Sequence, residues 1–133
     1  MHIFATVRNS PTAHEVQLRT GAVAQTLPVA AKATGRGSSI NGGEFLMLAL
    51  ATCYCNDLFR EAARLGVPLT AAEVEASADF PGVGLAATNI RYRVRVESSA
   101  SEADVARLVR ETDAVAEVHN TLRAGVPVEL AAG

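Results

Sequence analysis

Glu44-Phe45-Leu46-Met47-Leu48-Ala49-Leu50-Ala51-Thr52-Cys53 reads as the first half of a helix that is apolar on nearly every side. Asp57, Arg60, Glu61 and Arg64 then give the pattern a polar face. Gly66 is a natural stop, and Pro68 prevents continuation, so the spacing predicts a helix over residues 44–65. A helix wrapped in apolar side chains needs more cover than one face of a small sheet gives, which points to a partner subunit.

Upstream of that helix the chain reads as β. Ile3, Ala5 and Val7 alternate with polar neighbours, Asn9-Ser10-Pro11-Thr12 supplies a turn, and Val16 and Leu18 alternate again. Thr20-Gly21 turns the chain into a possible third strand at residues 22–27. Residues 32–43, rich in Gly, Ser, Thr and Asn, form a loop into the helix, and a loop of this length is often functional.

Downstream lies a hairpin. Val74, Ala76, Ala78 and Phe80 alternate with Glu73, Glu75, Ser77 and Asp79, and after Pro81-Gly82-Val83-Gly84 the alternation resumes through Ile90, Tyr92, Val94 and Val96. A hairpin centred near Leu85 would set Asp79 against Arg91 and Glu75 against Arg95. That accounts for the Arg91, Arg93 and Arg95 stripe by cross-strand pairing, ahead of attraction for an anionic substrate. Ser101 with Asp104 caps a second helix whose stripe runs Val105, Leu108, Val109, Thr112, Val115, Ala116. His119 at its end suits the helix dipole, Gly125 closes it, and residues 126–130 read as a short edge strand. The expectation is a single α+β domain over residues 1–133, in the order β-β-(β)-α-β-β-α-β.

Composition excludes several classes. With 49% hydrophobic and 20% charged residues, the 133-residue chain can bury a core without a metal or disulfide. A net charge of −2 argues against a nucleic-acid partner. The longest apolar run, residues 45–55, is about half of the ~20 residues needed to cross a bilayer, so no membrane partner is expected. No secretory leader is visible at Met1-His2-Ile3-Phe4, and two cysteines at CxC spacing do not make a disulfide framework, so the expected compartment is a reducing cytoplasm. The Gly35-Arg36-Gly37-Ser38-Ser39 piece lacks a P-loop lysine, and no His or Cys set has ligand spacing. Neither a cofactor nor a metal is expected.

The helix stretch 44–53, with its exit Arg64-Leu65-Gly66-Val67-Pro68-Leu69, resembles the OsmC/Ohr family of osmotically inducible and organic hydroperoxide resistance proteins. Val118-His119-Asn120-Thr121-Leu122 is similar to that family's Cys-Pro-Val-His-Arg/Asn-Thr-Leu segment. The resemblance covers nearly the whole chain. It implies the OsmC-like fold, an intertwined homodimer, and thiol-dependent reduction of organic hydroperoxides in an oxidative stress response. Carried over by position, Cys53 is the peroxidatic residue. The family's second, resolving Cys falls at Ala116 and its Pro at Glu117, so the resemblance implies a one-Cys cycle closed by an external thiol reductant. Glu44 matches the broader family, whereas the peroxidase subgroup's acidic residue would fall at Gly43. The family's catalytic Arg corresponds to Arg36 or Arg19, with Arg36 in the loop the candidate to act beside Glu44.

Chemistry bears on these assignments. A thiolate is the nucleophile, and Cys53 sits too far into the helix for much help from its N-terminus, so a cation such as Arg36, held by Glu44, would have to lower its pKa. The plain alternative is a small buried hydrophobe. Cys55 cannot resolve Cys53 across an intact helix, because residues two apart point about 200° away from each other; it reads as core. The rival to a peroxidase is a non-catalytic dimer that binds a small hydrophobic ligand in its interface cleft.

Overall fold

The computed structural model describes residues 1–133 and holds eight elements. They are strands β1 (Ile3–Asn9), β2 (His14–Thr20) and β3 (Val23–Thr26), helix α1 (Gly42–Leu65), strands β4 (Ala71–Asp79) and β5 (Thr88–Glu97), and helices α2 (Glu102–Val115) and α3 (Glu117–Ala124). The chain divides into two compact units, Met1–Phe45 and Leu46–Gly133.

The first unit is an antiparallel β1-β2-β3 meander. Its register sets Ala5 against Leu18 and Val7 against Val16, so the alternating apolar residues share one face. On the other face Phe4 lies opposite Arg19, whose guanidinium carbon is 4.1 Å from the ring centre. Val16 is the only buried residue of the three strands.

In the second unit α1 lays one stripe on the inner face of the β4–β5 hairpin. Tyr54, Leu58 and Ala62 of α1, with Leu108 of α2 and Ala116, form the buried core. The hairpin adds the directly opposed pairs Ala72–Val96 and Val74–Val94, together with Tyr92. Tyr54 is wholly buried and donates its hydroxyl to the Val109 carbonyl at 2.8 Å, tying α1 to α2. Gly66, at φ +68, takes the left-handed conformation that ends α1. At the start of α2 the Ser101 hydroxyl accepts the Asp104 N–H at 3.1 Å, as the capping pattern predicts.

Several expectations change. The hairpin register is Glu73–Arg95, Glu75–Arg93 and Ser77–Arg91, with a bulge before Asp79, which faces Thr88. Acid–base pairing therefore holds in kind, at 3.1 Å for Arg95–Glu73 and 3.7 Å for Arg93–Glu75, but Arg91 faces no carboxylate. The second helix breaks at Ala116, which is extended (φ −70, ψ 105) and fully buried. That bend turns Ala116 and His119 into the core, while Val115 is left 40% exposed. His119 is accordingly a core residue of α3, 3% exposed, and caps no carbonyls. Residues 126–130 form no strand, because a strand needs a partner and no segment of this chain pairs with them; Val128 and Leu130 are fully exposed. The first half of α1 is not covered all round within the chain, since Leu48 is exposed. In its second half Asp57 and Glu61 lie on the buried face, with Arg60 and Arg64 snorkelling out to solvent from them.

Candidate active site

Helix α1 carries Cys53 one residue before Tyr54, beside the buried stripe, so its thiol is half-buried. The Sγ atom lies 3.8 Å from Asp57 Oδ2, one turn further along, and 3.9 Å from Glu117 Oε2 at the start of α3. A thiol has one proton to donate, so the two carboxylates compete for it. Asp57 is 5% exposed and is held by Arg60, whose Nη1 donates to Oδ1 at 2.8 Å.

This environment favours the neutral thiol. Burial raises the Cys53 pKa above its ordinary value, and the charges of Asp57 and Glu117 push it the same way, against one backbone N–H from Val118. Burial also raises the Asp57 carboxyl, helped by Glu117 and opposed by Arg60. Two carboxyls beside one sulfur therefore form a site that can hold and pass a proton. Sulfur and carboxylate oxygens of Cys53, Asp57 and Glu117 lie within 4.8 Å of one another, a donor set of the kind that also takes a divalent cation.

Beside this lies an aromatic cluster. The His119 ring centre is 4.6 Å from that of Tyr92 and 5.9 Å from that of Tyr54, and both His119 ring nitrogens lack a hydrogen-bond partner. Burial, reinforced by the Arg123 charge, lowers the His119 pKa and keeps the ring neutral. Tyr92 donates to Asp113, which Arg123 also holds, at 2.7 Å. Burial pushes the Tyr54 hydroxyl up to about 12, with Asp113 adding to it.

Glu44, Arg36 and Arg19 belong to the first unit. Glu44 forms a reciprocal capping box with Asn41: the Glu44 N–H donates to Asn41 Oδ1 at 2.8 Å, and Glu44 Oε1 accepts the Asn41 N–H at 3.2 Å. Arg36 donates its Nε–H to Asn9 Oδ1 at 2.8 Å, while Arg19 stacks on Phe4 and reaches the Gly21 carbonyl. Cys55 is half-buried. Sequence reasoning missed Asp57 and Glu117. The i, i+4 spacing of Cys53 and Asp57 was the available signal for the first, and Glu117 had none.

The comparisons agree with this architecture. An OsmC-like protein from Mycoplasma pneumoniae superposes with a TM-score of 0.62 at 17% identity, over 92% of this chain and 86% of the other. An organic hydroperoxide resistance protein from Legionella pneumophila gives 0.60 at 14%, over 97% and 94%. An OsmC-like hydroperoxide resistance protein from Jannaschia gives 0.57 at 14%, over 96% and 86%. No protein of curated function matches the sequence. No helix is long and apolar enough to cross a membrane. The family described as OsmC-like protein matches residues 35–131, most of the chain, and this protein belongs to that family.

Proposed function

We propose that this protein is a thiol-dependent reductase of organic hydroperoxides, in which Cys53 attacks and an external thiol closes the cycle. The observation that carries the reading is the Cys53–Asp57 contact at 3.8 Å: an accessible thiol next to a carboxyl with a raised pKa. Cys53 Sγ attacks the terminal peroxide oxygen and the O–O bond breaks. The thiol proton passes through Asp57 to the departing alkoxide, giving an alcohol and a Cys53 sulfenic acid. An external thiol then condenses with the sulfenic acid, releasing water. A second thiol frees Cys53 and leaves as the disulfide of the reductant.

Ala116 stands where an internal resolving thiol would be, hence the external reductant. Arg36 is the proposed activating cation and Glu44 its proposed support; within the first unit Arg36 donates to Asn9 and Glu44 caps with Asn41. The working form we propose is a homodimer in a reducing cytoplasm. The exposed apolar face of β1–β3 and the exposed Leu48 and Phe59 of α1 support the dimer.

The raised Cys53 pKa favours a second reading, a non-catalytic dimer that binds a small hydrophobic ligand. Peroxide consumption with dithiol and monothiol reductants decides between them. Turnover lost in Cys53→Ser and kept in Cys55→Ser supports the reductase, and no turnover by the wild type with either reductant supports the binding protein.

A further inference from the structure

Three metal-ligating atoms converge where α1 meets α3. Cys53 Sγ, Asp57 Oδ2 and Glu117 Oε2 lie within 4.8 Å of one another, and the sulfur is 3.8 Å and 3.9 Å from the two oxygens. A tetrahedral zinc ion, with bonds of about 2.3 Å to sulfur and about 2.0 Å to oxygen, holds such atoms about 3.5 Å apart, so side-chain shifts of a few tenths of an ångström would complete the set. Asp57 points to a ligand independently. Its side chain is only 7% exposed, and Arg60 donates to Oδ1 at 2.8 Å. Oδ2 is aimed into the cluster, where its one donor is the weak Cys53 thiol at 3.8 Å. A carboxylate fixed through one oxygen by an outer hydrogen bond, with the other oxygen free, is how metal-ligating carboxylates are oriented. Glu117 is exposed and Cys53 half-buried, so a cation can enter from solvent.

We propose that Cys53, Asp57 and Glu117 bind one zinc ion, with water in the fourth position. Binding converts the Cys53 thiol to a thiolate and releases its proton to solvent. A thiolate ligand selects against Mg²⁺ and Ca²⁺, which take oxygen donors, and suits zinc. The three anionic donors exceed the charge of the ion by one, and Arg60 on Asp57 balances the excess. Zinc and peroxide would compete for the same sulfur. The metal site is nevertheless separable from the reductase reading, because it can be tested with no peroxide present.

The test is an anaerobic titration of the reduced, chelator-stripped protein with cobalt(II) chloride, a coloured stand-in for zinc, followed by displacement with zinc chloride. A near-ultraviolet thiolate-to-cobalt charge-transfer band is expected, saturating at one ion per chain and erased by zinc. The band should be lost in Cys53→Ser and kept in Cys55→Ser. Glu117→Gln, at an exposed position, removes one anionic ligand and is expected to weaken binding by about tenfold or more. Arg60→Gln, which frees Asp57, should weaken it by about tenfold. No band in the wild type, a band that survives in Cys53→Ser, or full affinity in Glu117→Gln would each overturn the proposal.

Discussion

Cys53 and Asp57 face each other across one turn of α1 at 3.8 Å, so the nearest acidic group to the thiol is one that opposes its ionisation. Replacing Asp57 with Asn removes that charge. Alkylation of Cys53 by iodoacetamide at neutral pH should then rise about three- to tenfold, because a lower thiol pKa leaves more of the reactive thiolate. Peroxide turnover should fall in the same variant, because the proton acceptor is gone. If both rates rise together, Asp57 is only a brake and the proton route is wrong.

Ala116 is fully buried, and the next two residues both reach Cys53, through the Glu117 carboxylate and the Val118 N–H. Ala116→Cys should supply an internal resolving thiol. Peroxide treatment should then give an intrachain disulfide, visible as a mobility shift on a non-reducing gel and absent from the Ala116→Cys/Cys53→Ser double variant. Overpacking the site should cost stability, on the order of 1 kcal/mol.

Burial holds His119 below its ordinary pKa of 6.5; Arg123 reinforces this, and Asp113 and Asp57 oppose it. The unfolded chain binds this proton at a higher pH than the folded protein does. Stability is therefore present above pH 6.5 and is lost progressively as the pH falls from there toward the lower folded value. Thermal melts between about pH 7 and 5 should show Tm falling in the wild type and falling less in His119→Gln. Glu61 and Glu111, stabilised as anions by their arginines, act only below their usual 4.5; the raised Asp57 carboxyl acts in the opposite sense, and it does so in both proteins, so the difference between them reads His119. Equal slopes in the two proteins would remove His119 from the pH response.

Two core variants should separate packing from hydrogen bonding. Leu58 is wholly buried against the hairpin, and Leu58→Ala should cost about 2–5 kcal/mol. Tyr54→Phe keeps the ring and loses only the 2.8 Å bond to Val109, for about 1 kcal/mol. Urea melts that gave the two equal losses would contradict this ranking.

The fold was legible where one face of an element meets one neighbour. The β1–β2 meander, the β4–β5 alternation, the Gly66 stop and the Ser101 cap all follow local rules that a sequence displays. The break at Ala116 was not legible, because neither Pro nor Gly marks it and the gain is tertiary: the bend buries Ala116 and His119 together. The slide in hairpin register had the same kind of cause, since a bulge beside Asp79 changes partners without changing the pattern. Cys53 was visible as a candidate, but its charged surroundings were not. Glu117 comes from another helix, and Asp57 reads as a solvent-facing residue until the buried stripe is known.

Of the residues in β1–β3, Val16 alone is buried, although Ala5, Val7 and Leu18 share its face. A three-stranded sheet draws its stability from covering its apolar face, and most of this face is open. If a second copy supplies the cover, as proposed, folding of this segment becomes a matter of mass action. Dilution alone would then loosen the strands at a temperature where the Tyr54–Leu58–Leu108 core stays intact, and the amount of protein a cell makes would set how much of each molecule is folded.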